Sequence, residues 1–302
     1  MKTIDPAMIA SFAPTGTLRV GINLGNPILA NEDPATQQPQ GVTIDIAHEI
    51  GKRTGLPIEL IPFKTAGNTV DAVKNGDVDL VFVAIDPVRG ADISYTPAYI
   101  QIEGAYMVKS NSPIKKNEQV DVAGNEIVVG KGSAYDLYLT REIKSATILR
   151  AASSQAVVDD FMSGKGNVAA GVKQQLESDA KRYQGLRMLP GRFMEINQAI
   201  GIPKARPQYQ KTTVYLTEVI TQLKQSGFIA QAMQRHHIEG AKVADWQLSY
   251  LLAAIDMQAL GYDHIFPAKI FPNALRKYGG CLWFTMNYKY RLRWWLKAPQ
   301  PI

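Results

Sequence analysis

Apolar positions change period several times along the chain. Leu18, Val20 and Ile22 alternate with Arg19 and Gly21, a short strand that stops at the Gly25-Asn26-Pro27 turn. Val42, Ile44, Ile46, Ala47 and Ile50 then form the stripe of a helix that Gly55 terminates. Ile58 to Pro62 returns as a strand. Asn68 or Thr69 is placed to cap a short helix through Val70 and Val73, ended at Gly76. The run from Asp79 to Ile85 is almost wholly apolar, as expected of a strand covered by helices on both faces of a parallel sheet. This strand-helix alternation predicts an α/β lobe.

A second round follows. Glu126 to Gly130 predicts a strand, Ser133 to Ile143 a helix and Ile148 to Arg150 a strand; Ser154 to Met162 predicts a helix ended at Gly164, and Val168 to Val172 a strand. Val70, Val73, Gly76 and Asp79 align with Val158, Phe161, Gly164 and Asn167 at one constant offset, so the two rounds contain similar helix–Gly–strand units. From Pro207 to Ile238 the pattern is helical with a break at Ser226-Gly227, and Val214, Val219, Ile220, Leu223, Phe228, Ile229 and Met233 line one face.

Composition sharpens this picture in one respect. The 302 residues are 46% hydrophobic and 20% charged, enough apolar material for two medium domains. The net charge is +6, but residues 242–302 hold eight Lys/Arg against three Asp/Glu, leaving the body nearly neutral. A basic nucleic-acid-binding domain is thereby excluded as the reading of the body, and no nucleic-acid partner is expected. The last segment contains all four tryptophans, and Trp246 to Leu260 has the spacing of an amphipathic helix. Between Trp283 and Lys297 aromatic residues interleave with Lys289, Arg291 and Arg293, a mixture suited to an anionic membrane surface or to single-stranded nucleic acid. The plainer reading, and the one taken, is a cap or an appended terminus without function; membrane contact through it stays open.

The sole cysteine, Cys281, makes no internal disulfide. Met1 to Pro14 lacks the basic start and apolar stretch of a signal peptide, with Asp5 and Pro6 interrupting it, and nowhere do 18 consecutive apolar residues occur. His48, His236, His237 and His264 have no metal-ligand spacing, no G-x-S-x-G occurs and no phosphate-binding Walker loop is present. No metal or cofactor is called for. Gly130-Lys-Gly-Ser-Ala-Tyr-Asp136 does carry chemistry: Ser133 and Asp136 have capping-box spacing after a Gly-rich turn, which leaves N–H groups at a helix start for an anion. A plain capped helix has the same signature.

Taken in order, these segments resemble the extracellular solute-binding proteins of family 3, the amino-acid-type receptors of ABC transporters. The resemblance rests on Leu18-Arg-Val-Gly-Ile-Asn23, Gly41-Val-Thr-Ile-Asp45, Asn75-Gly-Asp-Val-Asp79, Pro87-Val-Arg89, Ser94-Tyr-Thr-Pro-Ala-Tyr99 and Gly130-Lys-Gly-Ser-Ala-Tyr135, and it covers residues 16–240. It implies a two-lobed type II periplasmic-binding-protein-like α/β fold with a central cleft. Lobe one would be 1–105 with 200–241 and lobe two 106–199, with 242–302 as a C-terminal extension. Crossover strands would run over Ile102 to Lys109 and Gln198 to Lys204. It also implies a small-molecule ligand, an ABC permease as partner, a monomer, a periplasmic location (a cytoplasmic one being open without an export signal) and no catalysis.

The resemblance places Arg89 on a ligand carboxylate, as a planar guanidinium suits. Ala84, Asp86, Gly132, Ser133, Ala134 and Tyr135 accompany it, with Asn23 and Asn26 at the end of the first strand. Such receptors commonly place an acid for the ligand ammonium after the strand that here ends at Val172, where this chain has none. Either Asp86 or Glu103 supplies that charge, or the ligand is a carboxylate other than an α-amino acid. The enzymatic alternative is a dehydratase of the cyclohexadienyl dehydratase type, with Glu103 or Asp86 as the acid.

Overall fold

The structure is a computed structural model and describes residues 5–245. The features read from the sequence at 246–302, the amphipathic helix and the aromatic-basic stretch, lie outside these residues. The described chain opens on α1 (Pro6–Phe12), and its first two residues explain it: Asp5 is the N-cap, accepting from the Ala7 N–H at 2.9 Å, and Pro6 starts the helix. Met8 and Phe12 are buried, and the helix lies against the later helix Tyr209–Gln225. Asp5 and Pro6, which interrupt the apolar stretch, thus begin a helix of the fold.

The next elements are β1 (Leu18–Asn23), the small hairpin β2 (Asn31–Glu32) and β3 (Pro39–Gln40), α2 (Val42–Thr54), β4 (Ile58–Phe63), α3 (Ala66–Asn75) and β5 (Leu80–Ala84). Gly55 and Gly76 end α2 and α3 in the left-handed conformation that glycine adopts without steric cost. The expectation for the start of α3 needs correcting. Thr65, not Asn68 or Thr69, is the cap: its Oγ1 accepts from the Asn68 N–H at 3.2 Å, while the Thr69 hydroxyl donates back to the Thr65 carbonyl.

After β6 (Ile93–Tyr95) come the ten-residue β7 (Ile100–Lys109), β8 (Glu126–Gly130), α4 (Ala134–Glu142), β9 (Thr147–Ala151), α5 (Val157–Met162), β10 (Val168–Val172), α6 (Lys173–Ala180) and β11 (Leu186–Met188). The chain returns through β12 (Met194–Pro203) to α7 (Tyr209–Gln225), α8 (Phe228–Arg235) and β13 (Lys242–Val243).

The main sheet runs in the order β4-β1-β5-β12-β7-β10-β8-β9. One parallel set, β4-β1-β5, and another, β10-β8-β9, are joined by the two long strands β12 and β7, antiparallel to each other. The C-terminal half of β12 pairs with β5 and its N-terminal half with β7, and β7 passes on to β10. β12 starts at Met194, four residues before the expected start of that crossover, because Met194 to Asn197 continue the ladder with β7. The result is a two-lobed α/β fold.

Each central strand feeds two layers of core. In β5, Leu80, Phe82 and Ala84 face the core under α2, α7 and α8, while Val81 and Val83 face Val70 and Val73 of α3. In the second lobe, Ile127 and Val129 share a core with Leu139 of α4, and Val128 meets Val157, Phe161 and Leu176 of α5 and α6. This two-sided burial accounts for the unbroken apolar runs.

Asp79, immediately before β5, is a buried charge of the first lobe. Its carboxylate accepts from Arg19 Nε at 3.1 Å and Nη2 at 2.7 Å, from the Arg19 N–H at 2.9 Å, and from Arg206 Nη2 at 2.6 Å. Arg206 follows β12, so one carboxylate ties β1, β5 and the returning chain together. Among the described residues no helix is long and apolar enough to cross a membrane.

Candidate functional site

Parallel strands deliver their following loops to one edge, and in open α/β sheets that carboxyl edge is where ligands bind. In the first lobe the loops are Asn23–Asn26 after β1, Lys64–Gly67 after β4 and Ile85–Arg89 after β5. In the second they are Gly130–Ser133 after β8, Ser154–Gln155 after β9 and Val172 after β10. The two sets meet. Arg89 Nη2 donates to the Gly132 carbonyl at 2.9 Å, Gln155 Nε2 donates to the Leu24 carbonyl at 2.9 Å, and Arg141 Nη1 lies 2.9 Å from Asp86 Oδ2. Gly67 and Gly132 approach so closely that a Cβ on Gly132 would stand 3.4 Å from the Gly67 Cα.

Arg89 is only 4% exposed. Its Nη1 donates to the Ala84 carbonyl at 3.1 Å, and the other branch reaches Gly132. Both acceptors are neutral, and among the described residues no carboxylate forms an ion pair with Arg89. Burial pushes its pKa below the usual arginine range, against the pull of Tyr95 and Asp86. A buried guanidinium satisfied only by carbonyls retains attraction for an anion, because hydrogen bonds with both partners charged are the stronger kind.

The helix start anticipated from Ser133 is present. Ser133 Oγ accepts from the Asp136 N–H at 3.0 Å, and Asp136 Oδ2 accepts from the Gly132 N–H at 2.8 Å. Arg150 on β9 pairs with Asp136 at 3.0 Å. The first-turn N–H groups of Ala134 and Tyr135 precede any intrahelical acceptor and so belong to the dipole end that favours an anion. Gly132 adopts φ +72°, a conformation glycine takes without steric cost, and its carbonyl accepts from Arg89.

Other expected residues have more local surroundings. Asn23 uses its side-chain oxygen to accept from the Gly25 N–H at 3.0 Å, fixing the turn after β1. Asn26 Oδ1 is buried without a hydrogen-bond partner among the described residues. Tyr135 is buried with its hydroxyl beside Gly130 and Ser154, and burial raises its pKa; it backs the Gly-rich turn. Val172 ends β10 opposite Gly104 and caps α6 with no carboxylate. Glu103 stands apart on the crossover strands, between Arg192 at 3.0 Å and Lys173 at 3.5 Å. Burial raises its pKa, but Arg192 and Lys173 outweigh that and hold it below the usual carboxylate range.

Three participants were not read from the sequence. Arg141 and Gln155 reach across from the second lobe, and Tyr95 lies beside Arg89, its phenol pushed up to about 12 by burial. Gln155 follows a strand end and Tyr95 lies in a quoted motif, so position could have raised both. Nothing local links Arg141 to Asp86. Among the described residues no group of three His, Cys, Asp or Glu side chains is placed to hold a metal ion.

Two α/β lobes on paired crossover strands, with a buried arginine where their loops meet, define a type II periplasmic-binding-protein fold. The family described as bacterial extracellular solute-binding proteins, family 3, matches residues 18–239, and the chain belongs to it. The amino-acid-binding protein AabA of Dichelobacter nodosus is 23% identical over 198 residues, covering 63% of this chain and 76% of that protein. Among solved structures, the solute receptor for L-cysteine of Neisseria gonorrhoeae superposes with a TM-score of 0.66 at 20% identity, covering 77% of this chain and 94% of the receptor. An ancestral amino acid-binding protein described as a precursor of cyclohexadienyl dehydratase gives 0.63 at 19% identity, covering 76% and 98% of the two chains. At such identities the structures show the shared fold alone.

Proposed function

We propose that this protein is the solute-binding component of an ABC-type importer and holds a small carboxylate-bearing metabolite between its lobes. The observation that carries the reading is Arg89, a buried cation whose present partners are one neutral carbonyl from each lobe. A ligand carboxylate takes both branches of the guanidinium fork, displacing carbonyls that bind it less strongly. Ser133, Ala134 and Tyr135 present the start of α4 to the same anion. Ala84 and Gly132 shape the floor, Asn23 and Asn26 the first-lobe rim, Asp86 the flank and Val172 an apolar wall.

In this reading the lobes are 1–105 with 200–241 and 106–199, hinged on β7 and β12, and they close on the ligand. The protein acts as a monomer on the periplasmic side and passes its solute to a permease. The curated relative named above is an amino-acid-binding protein, which agrees with a carboxylate-bearing solute. Binding without turnover is supported by the state of the two candidate acids: Glu103 is held ionised between Arg192 and Lys173, and Asp86 is paired with Arg141. A dehydratase needs a free acid over its substrate, whereas Glu103 is held ionised and Asp86 is engaged by Arg141.

A thermal-shift screen of the full chain against small carboxylates and small amines tests the proposal. Ligand at about a hundred times its Kd adds about 2.7 kcal/mol, or roughly 5–10 °C for a protein of this size. Stabilisation by carboxylates that disappears in Arg89→Ala is the expected result. Stabilisation that survives the substitution, or that amines alone produce, refutes it.

A further inference from the structure

Asp86 stands three residues before Arg89, is 3% exposed and acts electrostatically on it. Left free, such a carboxylate would receive the ammonium of a zwitterion whose carboxylate lay on Arg89. It is not free. Oδ1 accepts from the Val88 N–H at 2.8 Å, and Oδ2 is ion-paired with Arg141 Nη1, from the last turn of α4, at 2.9 Å though without hydrogen-bond alignment. The other candidate acids are also engaged: Asp136 by Gly132 and Arg150, and Glu103, on the crossover strands, by Arg192 and Lys173. Where Arg89, Arg141 and Asp86 come together, two positive charges face one negative, a surplus of one positive charge, with the start of α4 adding to it.

We infer that Arg141 determines the ligand class by neutralising Asp86, so that the cleft selects carboxylates lacking an α-ammonium, such as 2-oxo and 2-hydroxy acids, over the corresponding amino acids. The inference rests on the reading of Arg89 as a carboxylate site. A zwitterion in this cleft would set its ammonium against a surplus of positive charge, or would have to displace Arg141 from Asp86. An oxo or hydroxyl oxygen does neither. Arg141 acts through Asp86 and is a positioning residue rather than a contact in its own right.

The test is isothermal titration of the full chain with matched sets: pyruvate and lactate against alanine, oxaloacetate and malate against aspartate, phenylpyruvate against phenylalanine. The wild type should prefer the oxo or hydroxy acid of at least one set by about tenfold or more, the scale of one charge-assisted hydrogen bond. Arg141→Gln should free Asp86 and narrow or invert the preference by a similar factor. Arg141→Lys should keep it, and Arg141→Gln combined with Asp86→Asn should gain nothing for the amino acids.

Amino acids bound by the wild type as tightly as their oxo analogues would overturn the inference while leaving the carboxylate site intact. So would a preference indifferent to Arg141→Gln. Binding of neither class removes the carboxylate site itself, and the inference with it. If Arg141→Gln does not fold, the wild-type comparison and Arg141→Lys still decide: equal affinities in the wild type, or a preference lost in Arg141→Lys, contradict it.

Discussion

Replacing Asp79 by Asn removes one charge and almost no volume, and the structure says what should follow. The Asp79 side chain is fully buried and faces two guanidinium groups, Arg19 at 2.7 Å and Arg206 at 2.6 Å. Removing one partner of a buried ionic cluster costs about 3–5 kcal/mol, because the remaining charges lose compensation. Both arginines keep about a fifth of their side-chain exposure and can turn partly to water, which places the expected loss near the lower end, about 3 kcal/mol. At roughly 2–4 °C per kcal/mol for a body of this size, the melting temperature should fall by about 6–12 °C. Arg206→Ala should cost less, about 1–2 kcal/mol, since Arg19 still covers the carboxylate. Urea denaturation followed by circular dichroism measures both. An Asp79→Asn protein within about 1 kcal/mol of the wild type would refute the argument that this carboxylate fastens β1, β5 and the chain after β12.

Gly132→Ala forces a Cβ into a left-handed residue facing Gly67, and should lower stability by about 1–2 kcal/mol and weaken ligand affinity, since the Gly132 carbonyl would shift from Arg89. Denaturation and calorimetry read the two effects, and an alanine variant unchanged in both contradicts the close approach. Asp121 accepts from the N–H groups of Ala146, Lys144 and Ser145, which hold its pKa below the usual carboxylate range. A depressed folded-state pKa contributes stability above the unfolded value that disappears as pH falls through the folded one. Asp121→Asn should therefore cost about 1–2 kcal/mol at neutral pH, with the gap to the wild type closing below about pH 4. A gap independent of pH would contradict the assignment.

Elements built from local rules were legible in the sequence. β8 and β10 run over the residues their apolar stretches indicated, because strands buried on both faces leave no polar alternation to blur their limits. Gly55, Gly76 and Ser133 marked helix boundaries through backbone conformation and capping, which act over a few residues. Where two local rules competed, the reading slipped. Asp5-Pro6 is a helix start as readily as a break, and three hydroxyl or amide residues, Thr65, Asn68 and Thr69, compete to cap α3. Arg89 and Ser133 could be singled out from the sequence because they lie in motifs. Arg141 could not, since its meaning depends on Asp86, 55 residues away and in the other lobe.

The most direct measurement is the dissociation constant of the carboxylate that stabilises the full chain best, compared between wild type, Arg89→Lys and Arg89→Ala. If Arg89 grips the ligand through its two-pronged guanidinium, Arg89→Ala should bind about a hundredfold more weakly or worse, near 2.8 kcal/mol, and Arg89→Lys should recover only part of the loss. An Arg89→Ala protein that binds the same carboxylate as tightly as the wild type would contradict the account.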